Sequence, residues 1–172
     1  MLLPRSDSAA ETAARRTRTG AVGVIGTQAT VKSGAFERRI LTADSDVRVY
    51  SRACPLIVPL VENGVGPADP VAELVCSRYL SAFDGKNIDQ LIMGCTHYPI
   101  YRAAFEKLLP GVEMIDVGRA LADDLKKEFG SVSGSGITEY YVTEHSAAFN
   151  ELVRNIDGSV DPDAITAAQI TA

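Results

Sequence analysis

Apolar and polar positions change their spacing many times along the chain, and each change marks a new element. Residues 8–16 are alanine-rich with scattered charge and predict a helix, capped by Ser6, Asp7 or Ser8. Thr19-Gly20 stops it. A continuous apolar run, A-V-G-V-I-G over 21–26, predicts a buried strand. Residues 27–30 form the turn after it. Val31, Ala35, Phe36, Ile40 and Leu41 then recur at helical spacing over 31–41. A second strand is expected over 47–51. Residues 52–59, punctuated by Pro55 and Pro59, read as irregular or extended, with Glu62-Asn63-Gly64 in the loop beyond.

Asp69-Pro70 reads as an N-cap followed by a first-turn proline. It opens a helix through Phe83 whose apolar stripe is Val71, Leu74, Val75, Tyr79 and Leu80, with Cys76 nearby in the core. After a turn over 84–87, Ile88, Leu91, Ile92 and Met93 make a short apolar run suited to a central parallel strand. A helix is expected over 100–109 with Pro99 as its first residue. Then come a strand over 112–115, a helix over 119–129, a glycine-serine loop over 130–136 and a strand over 138–143. A last helix over 146–156 is capped by Ser146 or Thr143, and a loose tail fills 157–172. Strands alternate with helices, so a three-layer parallel α/β sheet is the expected architecture.

Composition narrows the function classes. An apolar fraction of 46% over 172 residues supports a real core. The net charge of −5 argues against a nucleic-acid surface held by basic charge. The one basic cluster, Arg15-Arg16-Thr17-Arg18, reads as a solvated helix end. No apolar run approaches the roughly 20 residues that cross a membrane, and the first residues do not read as a signal peptide. Three cysteines (Cys54, Cys76 and Cys95), an odd number with no C-x-x-C, fit free thiols in a reducing cytoplasm. With His97 and His145 the only histidines, no metal-ligand spacing arises. The glycines of G-V-I-G-T lack the spacing of a dinucleotide loop.

The chemistry concentrates where the central strand ends. The run M-G-C-T-H-Y-P places Cys95, Thr96 and His97 between a strand and a helix, at the end of the sheet where α/β proteins bind ligands. A thiol near a helix N-terminus is biased toward thiolate, and His97 two residues on can tune it or act as an acid. Thr27 and Thr30 end the first strand, where they are placed to cap the next helix. Asp116, at another strand end, reads as a helix cap.

G-C-T-H-Y-P after an apolar strand resembles the second catalytic-cysteine motif of glutamate racemases, in the aspartate/glutamate racemase superfamily. V-I-G-T-Q-A-T-V-K-S-G over 24–34 and A-C-P-L-I-V-P-L-V-E-N-G over 53–64 resemble two further motifs, in the family's order. The resemblance covers 15–156. It implies cofactor-independent interconversion of L- and D-glutamate by two cysteines, supplying D-glutamate for peptidoglycan. Cys95 would be one of the pair. Thr96 would hold the substrate carboxylate, with Thr27 and Thr30 as further donors. His97 would tune Cys95 or the substrate ammonium. Glu62 would be an acid near the site, or a solvated turn acid. Cys54 reads as packing.

The family's opening D-S-G turn and its first catalytic cysteine have no counterpart here. The expected organisation is therefore a helix over 1–20 leading from an absent lobe, then a complete α/β lobe over 21–116. Returning elements of the other, incomplete lobe follow over 117–156, then the tail over 157–172. With one catalytic cysteine of two, the chain is expected to be inactive alone. Dimerisation would cover apolar edges left bare. A non-catalytic remnant serving as a binding or interaction module is the alternative, and a metal- or nucleotide-dependent enzyme a distant third.

Overall fold

The computed structural model describes residues 5–130, 134–144, 146–156 and 158–169. His145, part of the glycine-serine loop and the end of the tail lie outside the described residues. Four parallel strands make the main sheet, in the order β2-β1-β3-β4: β1 Ala21–Gly26, β2 Arg48–Ala53, β3 Gln90–Met93 and β4 Glu113–Asp116. Every residue of β1 and β3 is buried, as the unbroken apolar runs predict for strands covered on both faces.

The two faces carry separate cores. On one, Ala21, Ile25, Leu91 and Met93 meet the helices α4 Ile57–Glu62, α5 Pro70–Leu80 and α6 Arg102–Leu108, with Tyr98, Tyr101 and Phe105 at the centre. On the other, Val22, Val24, Ile92 and Ile115 meet α1 Arg5–Arg16, α3 Ala35–Ala43 and Val117, the first residue of α7 Val117–Phe129. Ala9, Ala10, Ala13 and Ala14 line the buried side of α1, so the helix lies close to its neighbours.

Several boundaries differ from the sequence reading. α1 starts at Arg5, so Ser6, Asp7 and Ser8 fall inside it rather than at its cap. The expected helix over 31–41 is two helices, α2 Gln28–Ser33 and α3, broken where Gly34 turns left-handed (φ 63°) and its N–H closes on Val31 O. β2 reaches Ala53 because β1 pairs with it as far as Gly26↔Ala53. Glu62 ends a helix rather than sitting in a loop. α4 tolerates Pro59 because that proline is third in the helix, where an N–H has no intrahelical partner to lose.

α5 begins as expected, with the Asp69 carboxylate accepting from Val71 N–H at 2.8 Å. Its stripe is rotated, however. Ala72, Cys76, Tyr79 and Leu80 are buried, while Val71 and Leu74 face outward. The small side chains of Ala72 and Cys76 let this face approach the core.

Two parallel strands, β5 Tyr141–Val142 and β6 Thr166–Ala167, form a separate small sheet beside α8 Ala147–Ile156. The expected strand over 138–143 shrinks to two residues, and β6 lies in the stretch read as a tail. Ser146 Oγ accepts from Phe149 N–H at 3.1 Å and caps α8, as expected.

Candidate active site

Because all four main strands are parallel, their carboxyl ends share one rim. Thr27, Cys54, Cys95 and Asp116 mark it, each at or just beyond the end of its strand. Gly94 makes the approach possible: its N–H bonds to Ile25 O at 2.8 Å, and a Cβ there would lie 2.9 Å from that same oxygen. The Thr30 methyl packs over Gly26 and against Gly94, which brings the first strand's threonines beside the Cys95 turn.

Cys95 is half-buried, and its Sγ lies 3.9 Å from His97 Nδ1. The Thr96 hydroxyl lies 3.5 Å from the same nitrogen. His97 Nε2 faces Glu62 Oε1 at 3.4 Å, across the gap between the β3 turn and α4. A neutral His97 with its proton on Nε2, the nitrogen that faces Glu62, presents the Nδ1 lone pair to the Cys95 thiol. Glutamate, imidazole and thiol thus stand in a row that ends at the most accessible sulfur of the three cysteines. Thr96 is exposed on the same turn.

The other predicted residues divide. Thr27 is committed to capping α2, its Oγ1 accepting from Thr30 N–H at 3.2 Å and lying 3.0 Å from Thr30 Oγ1. The Asp116 carboxylate caps α7 through Gly118 and Arg119 N–H groups, as read from its position. Pro99 does not open an α-helix. A 3-10 turn, Tyr98–Tyr101, comes first and α6 starts at Arg102. The helix-terminus contribution to Cys95 is therefore weaker than the sequence suggested, and His97 is its closest tuning group. A cavity of about 950 Å³ runs instead along β4, lined by Arg16, Arg102, Glu113, Asp116 and Arg119 among others. It contains none of the thiol, imidazole and carboxylate trio, which stands on the open rim.

Cys54 and Cys76 are fully buried. Burial pushes the Cys54 thiol up to about 12, partly offset by Arg52, and the Cys76 thiol up to about 11. At neutral pH, iodoacetamide is therefore expected to modify Cys95 at least about tenfold faster than either. Peptide mass spectrometry over a time course reads this directly. Earlier labelling of Cys54 or Cys76 would contradict the assignment.

Two contacts went unnoticed in the sequence. The buried Tyr98 hydroxyl donates to Cys54 O at 3.0 Å, and the buried Tyr101 hydroxyl to Val65 O at 2.7 Å. Both tyrosines follow the G-C-T-H motif and read there as a helix start.

The family described as Asp/Glu/Hydantoin racemase matches residues 5–125, most of the chain. The chain belongs to this family. Within it, the glutamate racemase of Aquifex aeolicus (strain VF5) is 44% identical over 151 residues, covering 87% of this chain and 58% of that protein. The glutamate racemase of Thermus thermophilus, solved in complex with beta-chloro-D-alanine, superposes with TM-score 0.74 at 36% identity. It covers 100% of this chain and 64% of that one. The glutamate racemase of Francisella tularensis subsp. tularensis SCHU S4, solved in complex with D-glutamate, gives TM-score 0.78 at 29% identity over 98% and 62%. The chain thus spans roughly three-fifths of the length of these Asp/Glu racemase relatives. Among the described residues, no helix is long and apolar enough to cross a membrane.

Proposed function

We propose that this chain carries one of the two proton-transferring halves of a cofactor-independent glutamate racemase. The observation behind the proposal is the Cys95–His97–Glu62 arrangement on the rim of a sheet from this family. Inverting Cα requires a base on one face and an acid on the other. Cys95 as thiolate takes the α-proton from its face, with His97 Nδ1 accepting the thiol proton beforehand. Glu62 holds the imidazole in the required tautomer. Thr96 offers a hydroxyl and an N–H to the substrate carboxylate, with Thr30 beside it. The opposing cysteine would come from the part of the relatives' length that this chain does not span. In the cell the product would be D-glutamate for peptidoglycan, made in the cytoplasm. A second copy of the chain would be its partner in a homodimer.

The test is incubation of the chain in D₂O with L- or D-glutamate, read by NMR at Cα and by polarimetry. Deuterium is expected to enter one enantiomer without inversion, because one face alone carries a thiol. Cys95→Ala is expected to abolish that exchange. Interconversion of both enantiomers would show a second base within the chain or across two copies. Exchange that survives Cys95→Ala would remove Cys95 from the reaction.

A further inference from the structure

α4 carries Glu62 to His97, yet little within α4 fixes where it sits. It has six residues and no side-chain cap at its start, so it is too short to hold its own geometry. Ile57 and Val61 are buried and press it onto the core. Apolar contact is non-directional, so it does not set the helix's position along its own axis. The 3.4 Å spacing between His97 Nε2 and Glu62 Oε1 is already longer than the usual N–H···O range of about 2.7–3.2 Å, so an outward shift of α4 would separate the pair.

Leu56 N–H, at the start of α4, donates to Tyr79 Oη at 3.3 Å, and two further hydroxyls tie the helix to the Cys95–His97 turn. Tyr98 and Tyr101 lie one turn apart on the 3-10 segment that leaves the Cys95–His97 turn, and both are fully buried. Tyr98 Oη donates to the Cys54 carbonyl, three residues before α4 begins. Tyr101 Oη donates to the Val65 carbonyl, three residues after α4 ends. Val65 is locked to the helix by its own N–H, which returns to Leu60 O at 3.0 Å past a left-handed Gly64 (φ 74°). One short segment therefore grips α4 at both ends, and that segment begins at the residue following His97.

We propose that Tyr98 and Tyr101 are positioning residues that hold Glu62 in register with His97. Tyr98 N–H also donates to the Cys95 carbonyl at 3.2 Å, a backbone contact that Tyr98→Phe leaves in place, whereas both hydroxyls bond only to the chain flanking α4. This rests on the reading of Cys95, His97 and Glu62 as the site.

The test uses the intact chain with Tyr98→Phe, Tyr101→Phe, Glu62→Gln and the double variant Tyr101→Phe/Glu62→Gln. Each tyrosine variant keeps its ring and loses one hydroxyl. Two readouts are taken at one pH: the iodoacetamide rate at Cys95, and the ¹⁵N shift of His97 Nε2. Each tyrosine variant is expected to slow Cys95 alkylation by about threefold to fivefold. Each is also expected to move the Nε2 shift in the direction that Glu62→Gln moves it. In the Glu62→Gln background, Tyr101→Phe is expected to add nothing, since the register it protects is already irrelevant. If Tyr101→Phe slows Cys95 equally in both backgrounds, the hydroxyl acts through general packing and the proposal falls. Tyrosine variants that match wild type while Glu62→Gln differs overturn the proposal and leave the site intact. Should Glu62→Gln itself match wild type in both readouts, the site reading fails and the proposal with it.

Discussion

A single methyl group at position 94 is expected to cost about 3 kcal/mol of stability. The Cβ of Gly94→Ala would stand 2.9 Å from Ile25 O, 2.9 Å from Phe36 Cε2 and 3.4 Å from Thr30 Cγ2. The first of these is backbone. It is also the acceptor of Gly94 N–H at 2.8 Å, so it cannot retreat without breaking a bond that joins the turn to β1. Phe36 is buried in the opposite core and has no free side to swing toward. For a chain of this size, about 3 kcal/mol lowers the melting midpoint by roughly 6–12 °C. Gly66→Ala is the matched control, since nothing lies within 4 Å of its added Cβ, and it should stay within about 0.5 kcal/mol of wild type. Thermal melts of the two variants decide the matter. Equal midpoints would mean the β3 turn is not packed against β1 as described.

Asp89→Ala is expected to be comparably damaging, for a different reason. Asp89 is buried just before β3, and its carboxylate accepts from Thr17 Oγ1 at 2.6 Å, Arg18 N–H at 2.6 Å and Thr19 N–H at 3.3 Å. It thereby ties the α1–β1 connection to the entrance of the central strand. Removing the acceptor strands those donors, at a cost of about 3 kcal/mol. Burial raises the Asp89 carboxyl, but hydrogen bonds from Thr17, Arg18 and Thr19 outweigh it and hold the group below its ordinary value of 3.8. The unfolded chain therefore binds the proton more readily than the folded one. The stabilisation is present above the ordinary carboxylate range and is lost as pH falls below about 4. Urea midpoints at about pH 7 and about pH 3 should drop more steeply for wild type than for Asp89→Asn. A parallel drop in both would assign the acid sensitivity elsewhere.

Much of this was legible in the chain, and the divide follows range. β1 and β3 were visible because strands buried on both faces must be continuously apolar. Cys95, Thr96 and His97 come together through adjacency alone. The α4 helix was missed because Pro59 reads as a breaker wherever its position within a helix is unknown. The break at Gly34 was missed because apolar spacing runs through it. Placing Glu62 against His97 depends on how two β-α units pack across the sheet, which no local spacing encodes. The same holds for the Tyr98 and Tyr101 hydroxyls, whose partners lie 44 and 36 residues away. Asp89 drew no attention at all, since its donors come from a loop some 70 residues earlier.

The strand order has a consequence for the chain during synthesis. β1 sits inside the sheet, paired on one side with β2 and on the other with β3, where Val22 meets Gln90. Its β3 side therefore stays bare while roughly 70 further residues are made, on the order of 3–14 s at ribosomal speed. During that interval A-V-G-V-I-G is an uncharged, apolar, strand-prone edge. A nascent chain stalled between β2 and β3 should thus be a strong client of ribosome-associated chaperones, and one stalled beyond α6 a weak one.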